Sequence, residues 1–436
     1  MLEYYKGVAL EGRRNQAMDR AKRKLLVILG AGSSLPCGMP GLSDIDALMK
    51  KWSRNWKPPI GFPNPGDGTF NDVWKLLEVY QALNPRPQLG LGVNFERVLG
   101  EMTALASWVS PSPFGNALRS MVADGRTGPG FTWPGPDEDE QAAKPYYYRH
   151  LIIEQLSTLL SQLAEHMRER CRTFDERADN FVNYRAIFEA LEDHFEVGIY
   201  NLNYDNLAVR AMPDAFTGFT DGRFDPKEVA SRGDWNFIYH LHGNVHYSLP
   251  PEPAFVHVPI WQNDLRAVFD DSRPLEVNMA SNFVPIVPST LIAGGYKLDQ
   301  LLADPAQTLY ASLVRHIQQA DCVLIAGYGF GDVHVNRTLK NRFSRSPYDP
   351  GARPPVMLLT STPKTGLPIG GRQGHEFLSW EFTHSVNTRF PEAGNLSELI
   401  AEGRFEEDYH HRAWAWHGGF LEARSQMNEI AERLNR

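Results

Sequence analysis

KLLVILGAGSSLPCGMPGL, residues 24–42, is the stretch on which the fold turns. Its unbroken apolar run, Leu25 to Leu29, reads as a strand buried on both faces, as in a parallel sheet. The run leads straight into Gly30-Ala31-Gly32-Ser33-Ser34. A glycine turn at the carboxyl end of such a strand is where an α/β sheet receives a phosphate. Without Cβ atoms at Gly30 and Gly32 the backbone can turn sharply, and its N–H groups can approach a pyrophosphate. A tight turn with no ligand is the competing reading at this point.

Outward from the turn, the ordinary dinucleotide fingerprint fails. It requires a third Gly or Ala three positions after the second, and that position is Leu35. It also requires a second strand ending in an acidic residue about 20 positions on. The chain instead turns helical and then runs into WSRNWKPP, which is no strand. Leu42 to Trp52 reads as a helix with Ser43 as N-cap, residues 53–70 as loop, and Asp72 to Leu83 as a helix. Asn94 caps a further helix that continues from Arg97 to Trp108. Residues 110–144 are rich in Pro, Gly and acidic side chains and read as a long surface excursion, either a lid or a disordered loop. Leu151 to Arg170 carries an apolar stripe at helical spacing from Ile152 to Met167, and Asn183 to His194 continues the helical unit. Residues 43–190 therefore form a helical module inserted after the first strand, and residues 1–23 a helical extension before it.

The sheet resumes at Phe195 to Tyr200, Phe237 to Leu241, Cys322 to Ala326 and Val356 to Leu359. The first three strands end in NLNYDN, HGN and GYGFGD. Ligands of open parallel sheets collect at such carboxyl ends. The expected class is α/β, a Rossmann-like parallel sheet with a large helical insertion. The main domain spans residues 24–381, and residues 382–436 form a capping or oligomerisation segment with a helix from Leu421 to Leu434.

Composition narrows the function. A net charge of −8 argues against a broad nucleic-acid footprint, which needs clustered Lys and Arg. No apolar run approaches the 18 residues of a membrane span. The three cysteines, Cys37, Cys171 and Cys322, are scattered and form no C-x-x-C, so neither a disulfide framework nor a zinc ribbon is expected. With no secretory h-region at the start, a reducing cytoplasm is the expected compartment. His240, His242 and His246 alternate, His240 and His242 on one strand face. No matched carboxylate or cysteine pair joins them, so no metal is expected. Cys37 reads as a small apolar filler, and His410, His411 and His417 as packing or surface residues.

GAGSS, Gly38-Met39-Pro40, Asn203-Tyr204-Asp205, Leu241-His242-Gly243 and Gly327-Tyr328-Gly329-Phe330-Gly331-Asp332, in this order, resemble the sirtuin superfamily. More narrowly they resemble its bacterial branch of sirtuin-like NAD hydrolases found in antiphage defence. The resemblance covers roughly residues 24–335 and includes NFERVLGE (94–101) and PSTLIAGGYK (288–297). It implies that the helical insertion replaces the small zinc-bearing domain. It also implies that Asn203 and His242 flank the nicotinamide ribose as catalytic groups, with Asp205 holding a loop or the nicotinamide end. Gly30, Ala31, Gly32, Ser33, Ser34, Gly38, Pro40, Gly327, Tyr328 and Gly329 are the implied NAD contacts.

The chemistry of these residue types agrees with that role. Cleaving the N-glycosidic bond of NAD builds an oxocarbenium-like ribose, so polar groups belong around that sugar. An Asn amide donates and accepts at once, and a His accepts a ribose proton. An Asx turn is the competing reading of Asn203 and Asp205.

Two departures from deacylating sirtuins stand out. There is no four-cysteine ribbon, and Pro40-Gly41-Leu42-Ser43 replaces the Pro-Asp-Phe-Arg run that comes after the glycine turn. Without an acyl-lysine, water becomes the acceptor and NAD is hydrolysed to nicotinamide and ADP-ribose. The expected partners are NAD itself, a second copy of the chain and a HerA-type ATPase or Argonaute-type protein, with no direct nucleic acid and no membrane. A noncatalytic NAD or ADP-ribose sensor, a zinc-independent deacylase and a scaffold subunit are the alternatives.

Overall fold

The computed structural model describes residues 22–58, 68–83, 92–108, 138–251, 258–273, 287–293, 301, 303–344, 353–361, 382–388, 390 and 402–436. The helix expected over residues 1–23 and most of the excursion expected over 110–144 lie outside these residues.

The first strand, β1 (Arg23–Leu29), ends in two short 3₁₀ turns, Ala31–Ser33 and Leu35–Cys37. Among the described residues five helices come next: α1 (Leu42–Asn55), α2 (Thr69–Leu83), α3 (Phe95–Trp108), α4 (Glu138–Arg172) and α5 (Asp179–His194). Then come β2 (Phe195–Asn201) and α6 (Leu207–Ala211), the short strands β3 (Phe219–Thr220) and β4 (Arg223–Phe224), and α7 (Pro226–Ser231). Next are β5 (Phe237–His240), β6 (Tyr247–Ser248), β7 (Ile260–Trp261), α8 (Ala306–Gln319), β8 (Cys322–Ala326) and α9 (Val333–Ser344). The last elements are β9 (Val356–Leu359), β10 (Glu406–Glu407), β11 (Ala413–Trp416), a 3₁₀ turn Leu421–Gln426 and α10 (Met427–Leu434).

The main sheet runs β10-β11-β9-β8-β1-β2-β5 and is parallel apart from the β10–β11 pair. β3, β4, β7 and β6 form a small second sheet. Leu25 of β1 registers with Val197 of β2 on one side and Cys322 of β8 on the other. From β1 the chain builds outward through β2 to β5, then returns to start β8 on the opposite side of β1. The crevice between the ends of β1 and β8 is thus a topological switch point, where open α/β sheets bind ligands.

Alternation along β1 assigns the two layers. Leu25, Val27 and Leu29 pack into one core with the helical insertion, while Leu26 and Ile28 pack into a second with α8 and α9. All five are fully buried, each worth about 1.5–3 kcal/mol of apolar burial. This is a three-layer α/β/α arrangement, the Rossmann-like class expected from the apolar strands.

Four local readings are corrected. The cap of α1 is Gly41, not Ser43: Gly41 is extended (φ −87°, ψ 178°), and the Asp44 carboxylate accepts its N–H at 2.9 Å. Helix α4 begins at Glu138, so the acidic end of the expected excursion is helical. The tail is not a separate cap. AWAW forms β11 inside the sheet, with Trp414 and Trp416 in one core and Ala413 and Ala415 in the other. A strand buried on both faces needs no surface alternation, and here large and small residues divide the two layers. Finally, β5 stops at His240, so His242 lies beyond the strand and shares no strand face with His240.

Candidate active site

A cleft with about 810 Å³ of empty space, open to solvent on one side, lies over the carboxyl ends of β1, β2, β5 and β8. Its sheet-side wall includes Gly30, Ala31 and Ser34 after β1, Asn203 and Asp205 after β2, His242 after β5, and Tyr328 and Asp332 after β8. Its other wall is apolar and comes from the insertion: Leu42 and Ile45 of α1, Phe95 of α3 and Met167 of α4, with Glu96 as the charged exception.

Of the residues singled out in the sequence, Gly30, Ala31, Ser34, Pro40, Asn203, Asp205, His242 and Tyr328 line this cleft. Gly32, Ser33, Gly38, Gly327 and Gly329 are not among its lining residues, and the backbone gives the reason. A Cβ on Gly32 would lie 2.8 Å from Gly327 Cα, and a Cβ on Gly327 (φ +61°) would lie 2.1 Å from Ser33 N. These two glycines let the turns after β1 and β8 interlock. The turn amides are occupied as well. Gly30 and Gly32 donate to Ala326 O and Gly327 O, and Ser33 and Ser34 donate to Gly30 O and Ala31 O. A four-amide phosphate cradle is therefore not formed here. Ser33 is buried, its hydroxyl donating to Gly30 O at 2.8 Å. Gly38 is a left-handed cap (φ 82°) whose carbonyl accepts from Arg170, and a Cβ on Gly329 would face open space.

Asn203 ties β2 to the glycine turn. Its N–H closes an Asx turn on Asn201 Oδ1 at 3.0 Å, and its side-chain amide donates to Gly30 O (3.1 Å) and Ser34 Oγ (2.9 Å). The turn geometry of the motif is thus present, and Asn203 also lines the cleft. Asp205 accepts from the Leu207 N–H at 3.0 Å and is buried. Burial pushes its carboxyl up, against the pull of that N–H and the Ser34 hydroxyl. Burial, reinforced by Asp205, pushes the Cys37 thiol up to about 12, which makes it a packing group and not a nucleophile.

The HGN loop is sewn to the NYDN loop. Asn244 donates to Asp205 O at 2.9 Å, and the Val245 N–H donates to Tyr204 O at 2.9 Å. Gly243 sits at φ +85° where a Cβ would lie 2.0 Å from Thr290 O, so no side chain fits. Beside it the Ile292 N–H donates to His242 O at 2.9 Å, and Tyr204 Oη donates to Ile292 O at 3.2 Å. His240 and His246 are held as neutral rings. Burial pushes them down to about 3 and about 4, and His246 donates from Nδ1 to Gln262 O while Nε2 accepts from Asn206. Among the described residues no group of three or more His, Cys, Asp or Glu converges on a point.

Two parts of the site escape sequence reasoning. Asp332, the last residue of GYGFGD, accepts from His242 Nε2 at 2.8 Å. In the sequence it stands as the end of the GYGFGD motif, with nothing to mark it as the partner of His242. Arg168 of α4 makes a buried two-pronged pair with Asp271, at 3.0 and 2.5 Å, stacked 3.9 Å from the Phe269 ring. This pair lies beside Met167 and pins the insertion to the sheet-side body.

Residues 197–367 match the family model of the SIR2-like domain. No curated protein matches the chain. The match supports the sirtuin-like superfamily, whose SIR2-like domains use NAD. It begins within β2 and so leaves out β1 and its glycine turn, which the sheet places in the same cleft.

Proposed function

We propose that this protein hydrolyses NAD to nicotinamide and ADP-ribose. The observation that carries the reading is the convergence of Asn203, Asp205 and His242 with Gly30, Ala31 and Ser34 of the glycine turn in one cleft at the switch point. In this mechanism the bond between ribose C1′ and the nicotinamide nitrogen breaks, and its electron pair leaves with nicotinamide. A water oxygen bonds to C1′. His242 takes the proton of a ribose hydroxyl, which is replenished from that water, so one proton is released per NAD. Asn203, fixed by the turn, orients the ribose and its incoming oxygen.

The cysteine count and the filled β1–β2 connection support hydrolysis over protein deacylation. The chain has three cysteines, too few for a four-ligand ribbon, and the β1–β2 connection is filled by helices. We place the enzyme as an effector of antiphage defence that depletes cellular NAD, assembled with further copies of itself and switched on by an ATPase or Argonaute-type partner. No helix among the described residues is long and apolar enough to cross a membrane.

The test is incubation of the purified protein with NAD, following nicotinamide and ADP-ribose by chromatography. Stoichiometric release of both is expected, lost in His242→Ala. NAD binding without release would point instead to the sensor reading.

A further inference from the structure

Asp332 is buried at the start of α9 and is held from several directions. Its Oδ1 accepts from the His334 N–H (2.9 Å) and the Val335 N–H (3.1 Å), capping α9. Its Oδ2 accepts from His242 Nε2 (2.8 Å) and from Tyr310 Oη (3.1 Å). Its own N–H donates to Tyr328 Oη (3.1 Å), which donates in turn to Asn336 Oδ1 (2.8 Å). A carboxylate at a helix N-terminus is favoured in its ionised form and can only accept hydrogen bonds. The ring proton of His242 must then sit on Nε2, and Nδ1 becomes the basic nitrogen.

We infer that Asp332 is the positioning residue of this site, fixing the tautomer and ring orientation of His242 so that Nδ1 serves as the base. The inference rests on the hydrolase reading above for its kinetic consequence, while the tautomer stands apart from it. When Nδ1 takes the ribose proton, the imidazolium formed lies against the Asp332 carboxylate, which stabilises it without taking the proton. The α9 cap supplies the rigidity, because the oxygen that caps the helix fixes where its partner oxygen points.

The test is Asp332→Asn. The amide oxygen can keep the α9 cap, and the NH₂ then faces Nε2, which must accept and so moves the ring proton to Nδ1. With the base lost but the cleft intact, kcat should fall on the order of 10³-fold or more, in line with the effect of a wrong histidine tautomer. The KM for NAD should stay within about threefold, as for a group that acts in the transition state only. The readout that a purely structural role would not move is ¹⁵N NMR of histidine-labelled, ligand-free protein. The resonance lost in His242→Ala should report an Nε2–H ring in the wild type and an Nδ1–H ring in Asp332→Asn. An Nδ1–H ring in the wild type, or wild-type kcat in Asp332→Asn, overturns the inference. If Asp332→Asn does not fold, the wild-type tautomer decides alone. If the wild type cleaves no NAD, the hydrolase reading fails while the spectrum still judges the dyad.

Discussion

The two walls of the cleft are built on opposite principles. The sheet side is polar and comes from four strand ends, each held by main-chain hydrogen bonds to its neighbours: Gly30 N–H to Ala326 O, Leu202 N–H to Leu29 O, Leu241 N–H to Asn201 O. The insertion side is apolar, sits on separate helices, and is joined to the body through side chains such as the Arg168–Asp271 pair. Under the proposed function, chemistry would rest on the element whose geometry the backbone fixes, and shape on the element that side chains hold. A reacting group must keep its position to a fraction of an ångström, whereas an apolar wall need only exclude water and fit the ligand.

Breaking the joint between the walls should have the largest effect. Arg168→Ala leaves Asp271 buried without its cation, a change that typically costs about 3–5 kcal/mol. Urea unfolding should show that loss, and an unchanged midpoint would mean that the two walls are not coupled through this pair. Asn203→Ala breaks the sheet side instead. It should lower kcat for NAD about 10²–10³-fold, the scale for one polar group at a developing charge, and lower the melting temperature by a few degrees through the hydrogen bonds lost to Gly30 and Ser34. Full activity in that variant would remove Asn203 from the chemistry.

Acid should act on the sheet side next. Burial pushes His240 and His246 down to about 3 and about 4 in the folded chain, below the unfolded value of about 6.5. Below pH 6.5 the unfolded state takes up protons that the native rings refuse, so stability is full above that pH and falls beneath it. Between pH 7 and 5 each ring should cost about 2 kcal/mol. Asp271, pushed up to about 6 by burial against the pull of Arg168, works the opposite way. Its native form gains a proton over the same interval and returns about 1 kcal/mol, offsetting only part of that loss. Urea midpoints measured at the two pH values check this, and equal midpoints would contradict it. The smallest effect belongs to the insertion side. Leu42 lines the cleft and is 44% exposed, so Leu42→Ala should raise the KM for NAD by a few-fold at unchanged kcat. A fall in kcat instead would mean that the apolar wall takes part in the chemistry.

The strands of the sheet were legible because a parallel strand buried on both faces is written as a short apolar run. Val27 and Leu324 announce themselves by neighbours alone, and β8 and β9 have the bounds that their sequences suggest. The strand ends were legible as motifs for the same local reason, since a turn demands glycine or an Asx side chain in a fixed order. The roles of the glycines were not. Gly32 and Gly327 read as NAD contacts, and the close backbone approach that they also allow spans a sequence gap of almost 300 residues, which no local pattern encodes. The segment that holds AWAW reads as a capping or oligomerisation element, and only the two cores on either side of β11 make the stretch interior.

By itself, then, the sequence determined which residue types stand at the carboxyl ends of the strands, because local geometry and chemistry restrict them. Tertiary structure alone decided which of them meet. Asp332 lies 90 residues from His242, and Asp271 lies 103 from Arg168. Hydrogen bonds and ion pairs act over about 3 Å, a distance that only the packed chain defines.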